Sequence, residues 1–138
     1  MPPLTRWFAR SALAWLLLAL AGGVVLASGV AARIPGTDVV LPYPTYLHLV
    51  TVGWITNLIF GVAFWMFPRH TTEHPRGSDA LGWASYAGLN AGLLLRLVGE
   101  PAQLAGAGGR ALLLLSAGLQ LLGGWAFVLN IWPRVKAK

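Results

Sequence analysis

The chain contains no cysteine. That absence excludes disulfides, thiolate metal sites and covalent haem attachment through C-x-x-C-H. Acid is scarce as well: Asp38, Glu73, Asp79 and Glu100 stand against 10 Lys and Arg, for a formal net charge of +6. The basic residues sit singly at the ends of segments instead of in a dense cluster, so they fit orientation signals beside membrane spans and not a nucleic-acid surface. No nucleic-acid partner is expected. Charged residues of both signs make up 10% of the chain and hydrophobic ones 57%, where a soluble chain is about a quarter charged. The 138 residues therefore read as a single transmembrane domain with the lipid bilayer as its main surroundings.

Four apolar segments are expected to be helical, over about residues 8–32, 45–67, 80–98 and 110–132. The first follows Arg6 and Arg10. A secretory signal peptide would share those basic residues and the small residues at 27–32, but the uncharged run from 11 to 32 exceeds the roughly 7–15 residues of a signal core, so a retained helix is expected. Gly22 and Gly23 suggest a close helix crossing. Residues 33–44 form a loop punctuated by Pro35, Gly36, Pro42 and Pro44, with Tyr43 and Tyr46 at headgroup depth. The second loop contains His70, Glu73 and His74 in the spacing H-x-x-E-H. On a helix that spacing is a zinc-peptidase signature, but Pro68 and Pro75 bracket it too closely for an active-site helix, and a solvated loop is expected instead. Asp79 is a candidate cap for the third helix. Ser85, Gly88, Gly92, Arg96 and Gly99 share one face of it, which brings Arg96 toward the inside of the bundle, to pair with Glu100 four residues on or with an anionic ligand. In the fourth helix Gly118, Gly123 and Gly124 allow close packing, and Pro133 with Arg134, Lys136 and Lys138 end the span.

The second segment organises the rest. Between residues 46 and 67 it has no charged side chain and is long enough to cross a hydrocarbon core about 30 Å thick. At about 100° per residue, Gly53, Asn57 and Gly61 form one stripe, expected to face a neighbouring helix. His48, Thr51, Ile55, Ile59, Val62 and Met66 form the opposite stripe, left for a cofactor or a second subunit. An intramembrane imidazole is either hydrogen-bonded to a carbonyl or interfacial water, or a ligand for metal or haem iron.

His48 with Gly53 and Trp54, then Ile59-Phe60-Gly61-Val62 and Phe67-Pro68-Arg69, resembles the second helix of small membrane proteins related to subunit I of the haem-copper oxidase and nitric oxide reductase superfamily. In that pattern, H-x-H-x-x-x-x-G-W, the second histidine falls on His48 and the first on Tyr46, where this chain departs from it. Residues 90–96 with Gly99-Glu100-Pro101 resemble the third helix of the same proteins. The resemblance covers about a third of the chain. It implies non-covalent haem b on His48, with Tyr46 beside it at the first histidine's position and Arg96 near the propionates.

The fold expected is an all-α, integral membrane four-helix bundle. Arg6, Arg10, Arg69, Arg76, Arg134, Lys136 and Lys138 fall on one side, and Arg33, Arg96 and Arg110 on the other, so the positive-inside rule places the N- and C-termini in the cytoplasm of a multi-pass inner (plasma) membrane protein. His48 and Arg96 then lie at similar depth in the outer leaflet. A low-spin haem needs two axial ligands and one chain supplies one intramembrane histidine, so a homo-oligomer, dimer or trimer, is expected to complete the site. Its function would be electron transfer or gas or redox sensing. The alternatives are a copper or zinc site built from His48 of several subunits and a cofactor-free scaffold or assembly subunit. No acid-base pair, nucleophile or copper triad marks the chain as an enzyme by itself.

Overall fold

The computed structural model describes residues 1–28, 42–67 and 77–135. Among them are four helices and no strands: α1 (Pro3–Ala27), α2 (Tyr43–Met66), α3 (Asp79–Leu104) and α4 (Arg110–Val135). The helices run up and down, each antiparallel to the next in the chain. Lys136, Lys138 and the His70-Glu73-His74 stretch lie outside the described residues.

The helix ends follow local chemistry. α1 starts at Pro3, earlier than the apolar run suggested, because proline at the first helical position loses no hydrogen bond. The N-cap of α3 is Ser78, whose Oγ accepts from the Leu81 amide at 3.4 Å, and Asp79 follows as the first-turn acid. α3 also runs through Pro101 to Leu104, six residues beyond the expected end near 98. Gly99, Glu100 and Pro101 are all buried there, and this tertiary packing offsets the helix-breaking tendency of proline. The α3–α4 turn uses Gly106 and Gly108 at φ +72° and +76°, a region open to glycine.

α1, α2 and α4 are long and apolar enough to cross a membrane. α3 does not reach the same apolarity, since it carries Asn90, Arg96, Glu100 and Gln103. Its close partner is α4. At Gly88 an added Cβ would lie 2.7 Å from the Leu119 carbonyl and 3.0 Å from Gly123 Cα, and at Gly92 2.8 Å from the Ser116 carbonyl. The α3 and α4 backbones therefore touch, and Ser116 Oγ donates to the Gly92 carbonyl at 2.6 Å. Gly123 is part of this seam, whereas Gly118 and Gly124 have nothing within 4 Å and face outward.

The α2 stripe of Gly53, Asn57 and Gly61 is buried. Gly53 sits against Trp15 and Leu93, and Gly61 against Phe8. Residues spaced by four drift around a regular helix, yet the buried series Thr45, Leu49, Gly53, Asn57 and Gly61 stays on one side. The cause is a π-helical stretch, Leu49–Thr56, in the middle of α2; its i→i+5 bonds underwind the chain and cancel the drift. Two apolar clusters flank the stripe. Phe8, Phe64, Leu89 and Ile131 form one, and Trp15, Ala19, Leu49 and Leu93 the other. Phe60 and Phe127 stack at 3.6 Å between α2 and α4.

A satisfied polar knot joins α1, α2 and α3 between the clusters. Trp15 Nε1 donates to Asn90 Oδ1 at 2.8 Å, and Asn90 Nδ2 donates to Asn57 Oδ1 and to the Tyr86 carbonyl, both at 2.9 Å. Asn57 Nδ2 in turn donates to the Val52 carbonyl.

Candidate functional site

His48 closes the first turn of α2. Its Nδ1 lies 2.9 Å from the Pro44 carbonyl. A carbonyl only accepts, so the contact is a hydrogen bond donated by Nδ1, and in the tautomer that fits it the lone pair lies on Nε2. His48 is half-buried, beside a stripe in which Ile55, Ile59, Val62 and Met66 are all exposed. Apart from the imidazole, the polar groups of this stripe are spent on backbone: Thr51 Oγ1 donates to the Leu47 carbonyl at 2.8 Å, and nearby Thr56 Oγ1 to the Thr51 carbonyl.

The other two candidate residues have partners within the bundle. Arg96 Nη1 donates to Glu100 Oε1 at 2.6 Å, the i, i+4 ion pair that the spacing allowed. The other oxygen, Glu100 Oε2, accepts a hydrogen bond from Thr45 Oγ1 across the α2–α3 contact. Thr45 is fully buried and Glu100 is 8% exposed. The ring of Tyr46 packs on α1, where a Cβ on Gly23 would lie 3.4 Å from it, and against Tyr43 at 6.1 Å between centroids. The bundle thus gathers Thr45, Glu100 and Arg96 one turn from His48, and directs Tyr46 to α1.

Glu100 was visible in the sequence as a partner for Arg96, but Thr45 carried no signal there, because a threonine at the start of an apolar helix is unremarkable until the opposite helix is placed. Arg134 is a second residue that sequence could not place. Instead of closing the span at the surface it is 4% exposed, and its Nη2 donates to the carbonyls of Phe64 and Phe67 at 3.2 and 2.6 Å. A cation thereby caps the negative end of α2.

Among the described residues the chain offers a single histidine as an axial ligand for haem. Among the described residues there is no group of three or more His, Cys, Asp or Glu side chains able to hold a metal ion, and Met66, on the same stripe, is roughly 27 Å along the helix from His48. The carbonyl-held Nδ1 and available Nε2 are the arrangement of a ligating histidine, so His48 fits the role of axial ligand. Arg96 is tied to Glu100 and Tyr46 is laid on Gly23. Compared with protein families, curated proteins and solved structures, the chain has no significant match.

Proposed function

We propose that this chain is a multi-pass protein of the inner (plasma) membrane with both termini cytoplasmic, and that it binds haem b non-covalently through His48 between the subunits of a homo-oligomer, for electron transfer or for gas or redox sensing. Membrane integration is supported by the apolar side chains exposed on every helix, among them Leu17, Val24, Ile59, Leu94 and Leu122, far more than a soluble monomer leaves uncovered. Trp7, Trp65, Trp83 and Trp132, one from each helix and all at the end that carries both termini, are 41–66% exposed and suit an interfacial belt. α3, too polar to match the others in apolarity, turns Asn90 onto α1 and α2 and Glu100 onto α2, and pairs Arg96 with Glu100.

The observation that carries the haem reading is the 2.9 Å contact of His48 Nδ1 with the Pro44 carbonyl, which turns that nitrogen to the backbone and leaves Nε2 as the candidate ligand beside an apolar, open stripe. When bound, haem would supply one-electron chemistry; the chain would supply the ligand, the apolar surround and, through a second copy, the opposite ligand. The same geometry in several subunits would suit copper or zinc. The internal partners of Arg96 and Tyr46 favour a cofactor-free scaffold as the second reading.

An oxidised-minus-reduced visible spectrum of the detergent-purified protein, expressed with ample haem and compared with His48→Ala, separates these readings. Sharp Soret and α bands that vanish in the variant are the expected result. A featureless spectrum overturns the haem reading, and metal analysis of the same sample then distinguishes a His48 metal site from a scaffold.

A further inference from the structure

We infer that Thr45 and Glu100 are positioning residues for His48, holding the short turn that presents its imidazole; this rests on the reading of His48 as a ligand. The regular α-helical part of α2 before the π stretch is six residues, Tyr43–His48. A segment that short is not stable by itself. Its sequence gives it little help: Pro42 at the N-cap offers no side-chain cap, and the first turn contains no acid. On its other side lies the underwound π stretch Leu49–Thr56.

A tether to this turn comes from α3. Glu100 places a carboxylate at the positive end of α2, where an N-terminal acid is favourable, and grips the turn through Thr45 Oγ1. Arg96 holds the other carboxylate oxygen at 2.6 Å, so Glu100 is fixed from its own helix while it reaches α2. His48 is three residues past Thr45, with Cβ atoms about 5–6 Å apart on neighbouring rungs. The bond from His48 Nδ1 to the Pro44 carbonyl spans this same turn and survives only while the turn is wound. Loss of the Thr45–Glu100 link therefore frees the turn, the tautomer and the direction of Nε2 together, without touching the imidazole.

The test compares Thr45→Val, of nearly the same shape but without the hydroxyl, with Thr45→Ser, which restores it. In haem titrations of detergent-purified protein, Thr45→Val should bind haem roughly 10–100-fold more weakly, the usual effect of losing a group that orients a ligand. Thr45→Ser should bind as the unsubstituted chain does. Equal haem affinity in all three overturns the inference. The 15N spectrum of the imidazole in haem-free protein gives an independent readout: His48 should be a single Nδ1–H tautomer in the unsubstituted and Ser chains and a mixture in the Val chain. If the unsubstituted chain takes up no haem, the haem reading fails, and this spectrum alone decides: a tautomer mixture confined to Thr45→Val upholds the positioning role and an unchanged spectrum refutes it.

Discussion

The contact between α3 and α4 makes a quantitative prediction from two glycines in comparable helical surroundings. Replacing either Gly88 or Gly118 with alanine removes the helix-propensity penalty of glycine, a gain of about 0.8–1 kcal/mol per site in water. At Gly118 the added methyl meets nothing within 4 Å, so only that gain remains. At Gly88 it would lie 2.7 Å from the Leu119 carbonyl and 3.0–3.1 Å from the Gly123 backbone. Those are main-chain atoms of another helix and cannot swing aside as a side chain can. The helices must separate, at an overpacking cost of about 1–3 kcal/mol, and separation also lengthens the 2.6 Å bond from Ser116 to the Gly92 carbonyl. Gly88→Ala should thus be less stable than Gly118→Ala by about 1–3 kcal/mol, with the propensity gain cancelling in the comparison. Equilibrium unfolding of the two variants in mixed micelles, followed by circular dichroism, measures the difference directly. Equal stability would refute the backbone contact on which the α3–α4 pairing rests.

The remaining predictions concern polar groups at other helix contacts. Asn90→Leu removes the partner of both Trp15 and Asn57 and should destabilise the bundle by about 1–2 kcal/mol, given roughly 0.6 kcal/mol for an average interhelical hydrogen bond in a membrane and up to about 1.7 for the best. Adding Asn57→Leu to that variant should cost less than Asn57→Leu alone, and strict additivity in the same unfolding assay would contradict the shared knot. Arg134→Ala removes the donor to the Phe64 and Phe67 carbonyls; hydrogen bonds to a charged group contribute about 1.5–3 kcal/mol. The last turn of α2 should then exchange its amide hydrogens roughly tenfold faster or more, while exchange near Gly53 stays unchanged, and an unaltered last turn would argue against the cap.

Sequence alone was sufficient for the all-helical class, because long uncharged runs leave the backbone few other ways to satisfy its hydrogen bonds in an apolar medium. It was also sufficient for the inward stripe of Gly53, Asn57 and Gly61, since helical periodicity and residue size together mark a close seam. The pairing of Arg96 with Glu100 was legible for a similar reason: the two residues are four apart on one helix. What sequence could not supply were relations between helices. That Gly123 meets α3 while Gly118 and Gly124 face outward depends on which side of α4 is turned inward, and the glycines themselves are alike. The same holds at both ends of α2, where Thr45 binds Glu100 and Arg134 caps the Phe64 and Phe67 carbonyls. Those contacts join residues 55–70 positions apart, and only the packing of four helices brings them within reach. The π winding of Leu49–Thr56 belongs with them, because it serves to keep a series spaced by four on one tertiary face, a demand that local sequence does not express.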